Sequence, residues 1–308
     1  MFLHTGRTSQ TVRLWVILLA GMLAAVLWPM IASGADGADE SEGNGAAAAS
    51  LNISMERVGR ADVDDTDASF GFTEYAASLS WQFLLLDLDH RRSDWRSGSE
   101  LGSASRREPW GELTRIAPGL QYYGELDDRW GLWLQMSAIA GFEDDVSSRS
   151  WTLNPQVVGL YMPRDDLNVF AGMGSLYHPV DSTLYPVLGV TWNRGTQDGF
   201  SGTLGLPETT LRYHFNERLA VKADVQRDIR TYRLSDGNPT APSGYLHTDE
   251  VTPGIHLEYF PAEALQVTMG VRRFMGRSIT IYSREERRLA DHDVDDAWSF
   301  RLEMEYGF

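Results

Sequence analysis

The chain has 308 residues, a formal charge of −16 and no cysteine, so it has no disulfide framework and nothing to carry a lipoprotein's lipid. The acidic excess repels nucleic-acid phosphates and argues against DNA or RNA as partners. Beyond residue 35 no apolar run reaches the roughly 20 residues a spanning helix needs, which excludes a helical membrane bundle. Yet 10 Trp, 12 Tyr and 12 Phe are present.

Residues 1–35 carry Arg7 and Arg13, an apolar run at 14–28, then Pro29 and the small residues Ala32, Ser33, Gly34 and Ala35. A basic start, a short apolar run and a small-residue exit predict a secretory signal peptide cut after Ala35. Residues 36–50 are small, acidic and of low complexity, and read as a flexible acidic tether. Residues 51–308 read as one domain.

That domain begins with an extended run at 51–59 and an acidic stretch at 61–69. Twelve strands follow, at 70–90, 109–123, 130–141, 150–161, 167–177, 185–193, 200–206, 209–215, 219–233, 250–260, 265–282 and 297–308. Alternation of polarity carries the assignment. In 219–233, Leu219, Val221, Ala223, Val225 and Ile229 oppose Lys222, Asp224, Gln226, Asp228 and Arg230. Side chains alternate faces along a strand, so one face is apolar and the other charged. Soluble sandwiches alternate too, and connection lengths separate the two. Tight turns at 126–129, 163–166, 216–218 and 261–264 alternate with longer connections at 142–150, 178–184, 234–250 and 283–297. This is the asymmetry of periplasmic turns and extracellular loops. The expected fold is all-β: an antiparallel up-and-down transmembrane β-barrel of about 12 strands, within an even range of 10 to 14. The stretch 70–95 lacks a turn signal and changes polarity parity near Phe83 and Leu84, so it is one bulged strand or two. Residues 51–59 would add another.

The last nine residues place Phe300, Leu302, Met304, Tyr306 and Phe308 on one face, against Arg301, Glu303, Glu305 and Gly307. The pattern resembles the terminal strand recognised by the outer-membrane barrel assembly machinery, which would dock by strand addition. Rings near strand ends, such as Trp130, Tyr161, Tyr213 and Tyr259, suit the water–lipid boundaries. The expected location is the outer membrane of a Gram-negative cell, with its lipid as surroundings.

Three stretches, Tyr185–Trp192 (YPVLGVTW), Gly202–Glu208 (GTLGLPE) and Leu211–Leu219 (LRYHFNERL), resemble a bacterial outer-membrane β-barrel family known mainly as a domain of unknown function. The resemblance spans about residues 50–308 and departs most at 70–95. It implies a porin-like barrel and no catalytic residues.

The inward-facing set on the later strands is Arg212, His214, Lys222, Asp224, Asp228, Arg230, His256, Glu258, Arg272, Arg301 and Glu303. Both signs on neighbouring strands predict a salt-bridged, hydrated lumen or a small-solute channel. The glycines at 172–174 and 199–205 suit strand curvature, not phosphate binding. The alternative is an outer-membrane enzyme, a lipid or peptide hydrolase. Its candidates are His178 near Asp181 and Ser182, His214, and His256 on the same face as Glu258. Acidic clusters at Asp62, Asp64, Asp65 and Asp67, and at Asp291, Asp293, Asp295 and Asp296, read as solvated loops that could attract divalent cations. No cofactor is expected.

Overall fold

The computed structural model describes residues 49–98, 101 and 108–308. The expected signal peptide and nearly all of the tether lie outside the described residues. Strand β1 (Ala49–Asp62) begins two residues inside the stretch read as tether. It is followed by β2 (Ser69–Trp81), β3 (Leu84–Arg96), β4 (Glu112–Glu125), β5 (Trp130–Phe142), β6 (Trp151–Arg164), β7 (Leu167–Tyr177) and β8 (Ser182–Trp192). The second half holds β9 (Gly199–Leu206), β10 (Glu208–Asn216), β11 (Leu219–Arg233), β12 (Tyr245–Ala262), β13 (Leu265–Tyr282), β14 (Arg288–Val294) and β15 (Ala297–Gly307).

Each strand from β1 to β13 pairs antiparallel with the next; β15 pairs with both β13 and β1 and closes the sheet. β14 pairs with the end of β13 in a hairpin beyond the wall, and its Val294 makes one further bridge, to Val63. The wall therefore has 14 strands, not about 12. One extra strand is β1. The other comes from the stretch read as 70–90, which turns at residues 82–83, where Trp81 pairs with Leu84. Gln82 holds the positive φ (52°) that the two-residue hairpin needs. The parity change at Phe83 was the turn itself, written without Gly, Asn, Asp or Pro.

Connections at one end are short: residues 82–83, 126–129, 165–166, 217–218 and 263–264, plus 193–198. The other end carries the longest connections, such as 143–150 and 234–244, together with shorter ones at 63–68 and 178–181. Pro207 alone joins β9 to β10. These strands have 8 and 9 residues, against 18 each for β12 and β13. The wall is low at β9–β10 and tall opposite. β8 pairs with β9 only from Leu188 to Trp192, and β11 pairs with β10 only up to Gln226. Above the hairpin no strand stands between 182–187 and 227–233.

There β11 leans across the interior and meets β5, with Arg233 pairing in parallel with Phe142. Glu143 donates its backbone N–H to the Arg233 carbonyl at 3.0 Å. Gly141 permits this approach, because a Cβ there would lie 2.1 Å from the Thr231 carbonyl oxygen.

The apolar core fills the long-loop end, where Val58, Phe72, Leu113, Tyr232, Leu246 and Ile281 are fully buried. Phe70 stacks on Trp95 at 4.5 Å, and Trp110 meets Trp95 edge-on at 4.9 Å. Register shifts supply this core. Between Val58 and Ala61, and again where Val251 opposes Met275 but Asp249 opposes Ser278, an extra residue reverses the parity. Beyond those bulges Ala61, Ile279 and Ile281 turn inward.

Candidate functional site

The outer surface is apolar. Met55, Leu120, Met136, Val157, Met173, Leu188, Leu204, Ile255, Met269 and Leu302 are all exposed on outward faces. Tyr122, Trp130, Phe215 and Tyr259 are exposed near the short-turn end, Trp151, Tyr177 and Trp298 toward the other. Charge lies inside. A closed sheet satisfies its own backbone groups, so this inverted surface is stable only against lipid. The chain is a closed β-barrel with the inverted surface of a membrane barrel. Phe300, Leu302, Met304 and Phe308 lie exposed on the outer face of the closing strand, with Tyr306 half-buried among them.

All eleven residues expected to line the lumen face inward. Nearest the short-turn end, Glu258 has no exposed surface and meets Arg212 Nε at 2.5 Å and Lys222 Nζ at 3.8 Å. Gln266 donates to it at 3.2 Å. Asp224 lies between Lys222 (3.7 Å) and His256 Nε2 (3.0 Å). Arg301 pairs with Glu303 at 2.7 Å, and Asn52 donates to Glu303. One layer on, Arg272 meets Glu56 at 3.3 Å, and Ser299 donates to the same carboxylate at 2.6 Å. The next layer centres on Arg230, which pairs with Asp228 (2.6 Å), Glu74 (2.7 Å) and Asp89 (3.1 Å). Arg91 bridges Glu74 and Glu250 at 2.8 and 3.2 Å, Arg115 meets Asp89 at 2.5 Å, and Arg277 lies 3.5 Å from Glu250.

Glu56, Glu74, Asp89, Arg91, Arg115, Glu250 and Arg277 are missing from the sequence-derived set. Glu74 and Asp89 fell in the stretch whose turn was invisible. Arg277 follows the second bulge, so simple alternation points it outward. Even-numbered inward residues of β12 were legible, and Glu250 was missed beside Glu258 only because it sits at the predicted strand edge.

The wall from β5 to β9 is different. Its inward polar side chains include Gln135, Asn154, Gln156, Asn168, Tyr185, Thr191 and Thr203, all half-buried and uncharged, alternating with apolar positions such as Val158 and Val187. Tyr185 donates to Asn154 at 2.8 Å, and the Thr191 and Thr203 hydroxyls lie 2.9 Å apart. A cavity of about 430 Å³ lies at the short-turn end, lined by Ser201, Arg212, His214, Glu217, Arg218 and Glu263.

The three histidine candidates do not assemble a hydrolase in the way expected. His214 stacks on Phe260, with centroids 5.8 Å apart. His256 is wedged against β13; a Cβ on Gly270 would lie 2.3 Å from its Nδ1. Ser182 Oγ donates to the His178 backbone carbonyl (3.0 Å), while the His178 ring nitrogen accepts from Val180 N–H (3.3 Å). Burial pushes the His178 pKa down to about 4, helped by neighbouring His247. In the loop above β5, burial raises the Glu143 carboxyl although Ser235 N–H and Asn238 donate to it at 2.8 and 3.0 Å.

The two acidic clusters meet. Asp64 N–H donates to the Asp293 carbonyl, and Asp295 N–H to that of Asp62. Asp291 and Asp296 are paired with Arg288 and Arg273. Among the described residues, no group of three or more His, Cys, Asp or Glu side chains is placed to hold a metal ion.

No protein-family model matches the sequence, and no curated protein matches it. Solved structures with overlapping folds are outer-membrane barrels. The NanC porin shares 12% identity over 83% of this chain and 100% of its own, at a TM-score of 0.38. The KdgM porin shares 10% over 84% and 99%, at 0.35. An outer-membrane channel from Pseudomonas putida F1 shares 9% over 88% and 100%, at 0.44. Overlaps this loose carry no substrate or mechanism across.

Proposed function

We propose that the protein is an outer-membrane, porin-like channel of narrow bore for small polar solutes, in its closed form here. The observation that carries this reading is the division of the interior. One wall is locked by paired charge, and the other carries uncharged hydrogen-bonding groups, with a cavity of about 430 Å³ at the short-turn end. Uncharged donors and acceptors can replace a solute's hydration without trapping it. The long-loop end is shut by the contact of β11 with β5, so passage requires that contact to part. A structural barrel is the second reading, favoured by the apolar core that seals the same end. The cavity, the uncharged face and the apolar belt support membrane insertion with the long loops outward. Planar-bilayer recording tests the proposal. Small, intermittent conductance is expected from folded protein, with longer open times when Gly141 is enlarged. Silence from both proteins under all voltages would favour the structural reading.

A further inference from the structure

Where β11 and β8 part company, three side chains from three segments converge. Thr231 Oγ1 of β11 lies 3.0 Å from His247 Nδ1 of β12, its direct cross-strand partner. His247 Nε2 lies 3.3 Å from Asp181 of the β7–β8 loop. Both Thr231 and His247 are on outward faces of their strands, yet they are covered, because the loop 178–181 and the inner faces of β6–β8 fold over them. His247 is only 9% exposed. Beside them is a partly open space of about 20 Å³, lined by Arg115, Thr152, Leu176, Thr183 and Ile229. That is room for one water.

A hydroxyl, an imidazole and a carboxylate in this order satisfy the geometric requirement for an activated nucleophile: nucleophile to base, base to orienting acid. The tautomer is fixed by the neighbours. With Asp181 within ionic reach of Nε2, the proton is favoured on that nitrogen, which leaves the Nδ1 lone pair to accept from the Thr231 hydroxyl.

Height selects the substrate. The outer faces of β11 and β12 are apolar up to Val225 and Val251. The exposed pair Arg227–Asp249 then ends the belt. Asp249 is the cross-strand partner of Ile229, so Thr231 stands one outward position above it. That level is the boundary between acyl chains and headgroups, where lipid ester carbonyls lie. The missing wall above Pro207 is the lateral approach. Leu176 and Ile229 give the space beside Thr231 an apolar side.

We propose that Thr231, His247 and Asp181 form an acyl-ester hydrolase site acting on lipids of the outer leaflet. Thr231 Oγ attacks the ester carbonyl carbon as its proton passes to His247 Nδ1. The carbon–oxygen bond to the alcohol breaks, and the alcohol leaves with that proton. Water then attacks the acyl-Thr231 ester, gives its proton to His247, and frees the carboxylic acid as Thr231 regains a proton. Asp181 holds the imidazole and offsets its transient charge. The site borders the inner faces of β6–β8 and so lies beside the proposed channel path.

The test uses full-length mature protein folded into vesicles of phosphatidylethanolamine and lipopolysaccharide, with fatty-acid release as readout and p-nitrophenyl decanoate as a second ester. Thr231→Ala and His247→Ala should each lower turnover at least about 100-fold. Thr231→Ser should keep a measurable fraction, Asp181→Asn should lose about 10-fold or more, and an acyl adduct should map to Thr231 by mass spectrometry. Each variant is scored only after its heat-modifiable migration matches the parent, and conductance is recorded in parallel. No fatty-acid or nitrophenol release by folded parent protein, or equal release by Thr231→Ala, overturns the proposal and leaves the channel reading untouched.

Discussion

The two halves of the interior differ in how they answer the same problem, a polar lumen inside a lipid-facing shell. The wall from β11 through β13, β15 and β1 to β4 fills its inner face with charge. Glu258, Glu250, Asp89, Arg91, Arg272 and Arg277 are each no more than 5% exposed. The wall from β5 to β9 uses amides and hydroxyls, most of them half-buried. A buried charge needs a partner on almost every side, so the first wall is rigid and closed. A neutral polar group exchanges water for protein at small net cost, so the second wall can remain wet.

The sharpest way to break this contrast is Glu258→Ala, which strands Arg212 and Lys222. A loss of about 3–5 kcal/mol of stability is expected, read as denaturant-induced unfolding from detergent micelles. Gln156→Ala, on the opposite wall, should cost under about 1 kcal/mol by the same assay. If the two variants unfold together, the division of the interior is wrong. Gly141→Val comes next. A side chain there forces β11 away from β5, at an overpacking cost of about 1–3 kcal/mol, and single-channel recordings should show longer openings. Tyr185→Phe removes the 2.8 Å bond to Asn154 and should cost about 1 kcal/mol.

The smallest effect concerns the loop between β7 and β8. His178, held near 4 against an ordinary 6.5, stays neutral when folded while the opened loop takes up a proton. Its contribution is complete above about pH 6.5 and is lost as pH falls toward 4. Amide exchange at residues 178–182 should therefore speed up over that window, beyond the intrinsic pH dependence. His178→Phe should flatten the change.

Period-2 alternation made the barrel and most of its later strands legible. Residues 219–233 were placed as β11 now stands. The inward set from Arg212 to Glu303 followed from the same pattern. It failed wherever the chain departs from plain alternation. A Gln-Phe turn carries no turn signature, so β2 and β3 merged and hid Glu74, Asp89 and Arg91. A single extra residue near Gly276 reversed the end of β13 and hid Arg277. Thr231 and His247 carried no signal either, and Asp181 was read only as a neighbour of His178. Their spacing in the sequence is arbitrary, and outward-facing Thr and His on a barrel read as surface.

The sequence by itself determined the inside-out pattern, because lipid on one face and polar partners on the other impose it residue by residue along each strand. The order of neighbours followed from short and long connections. Only the tertiary structure decided that β11 leaves the wall to meet β5, that β9 and β10 stop short, and that charge is matched across strands distant in the chain. Those outcomes depend on register, bulges and close backbone approach, which are properties of paired strands and not of any strand read alone.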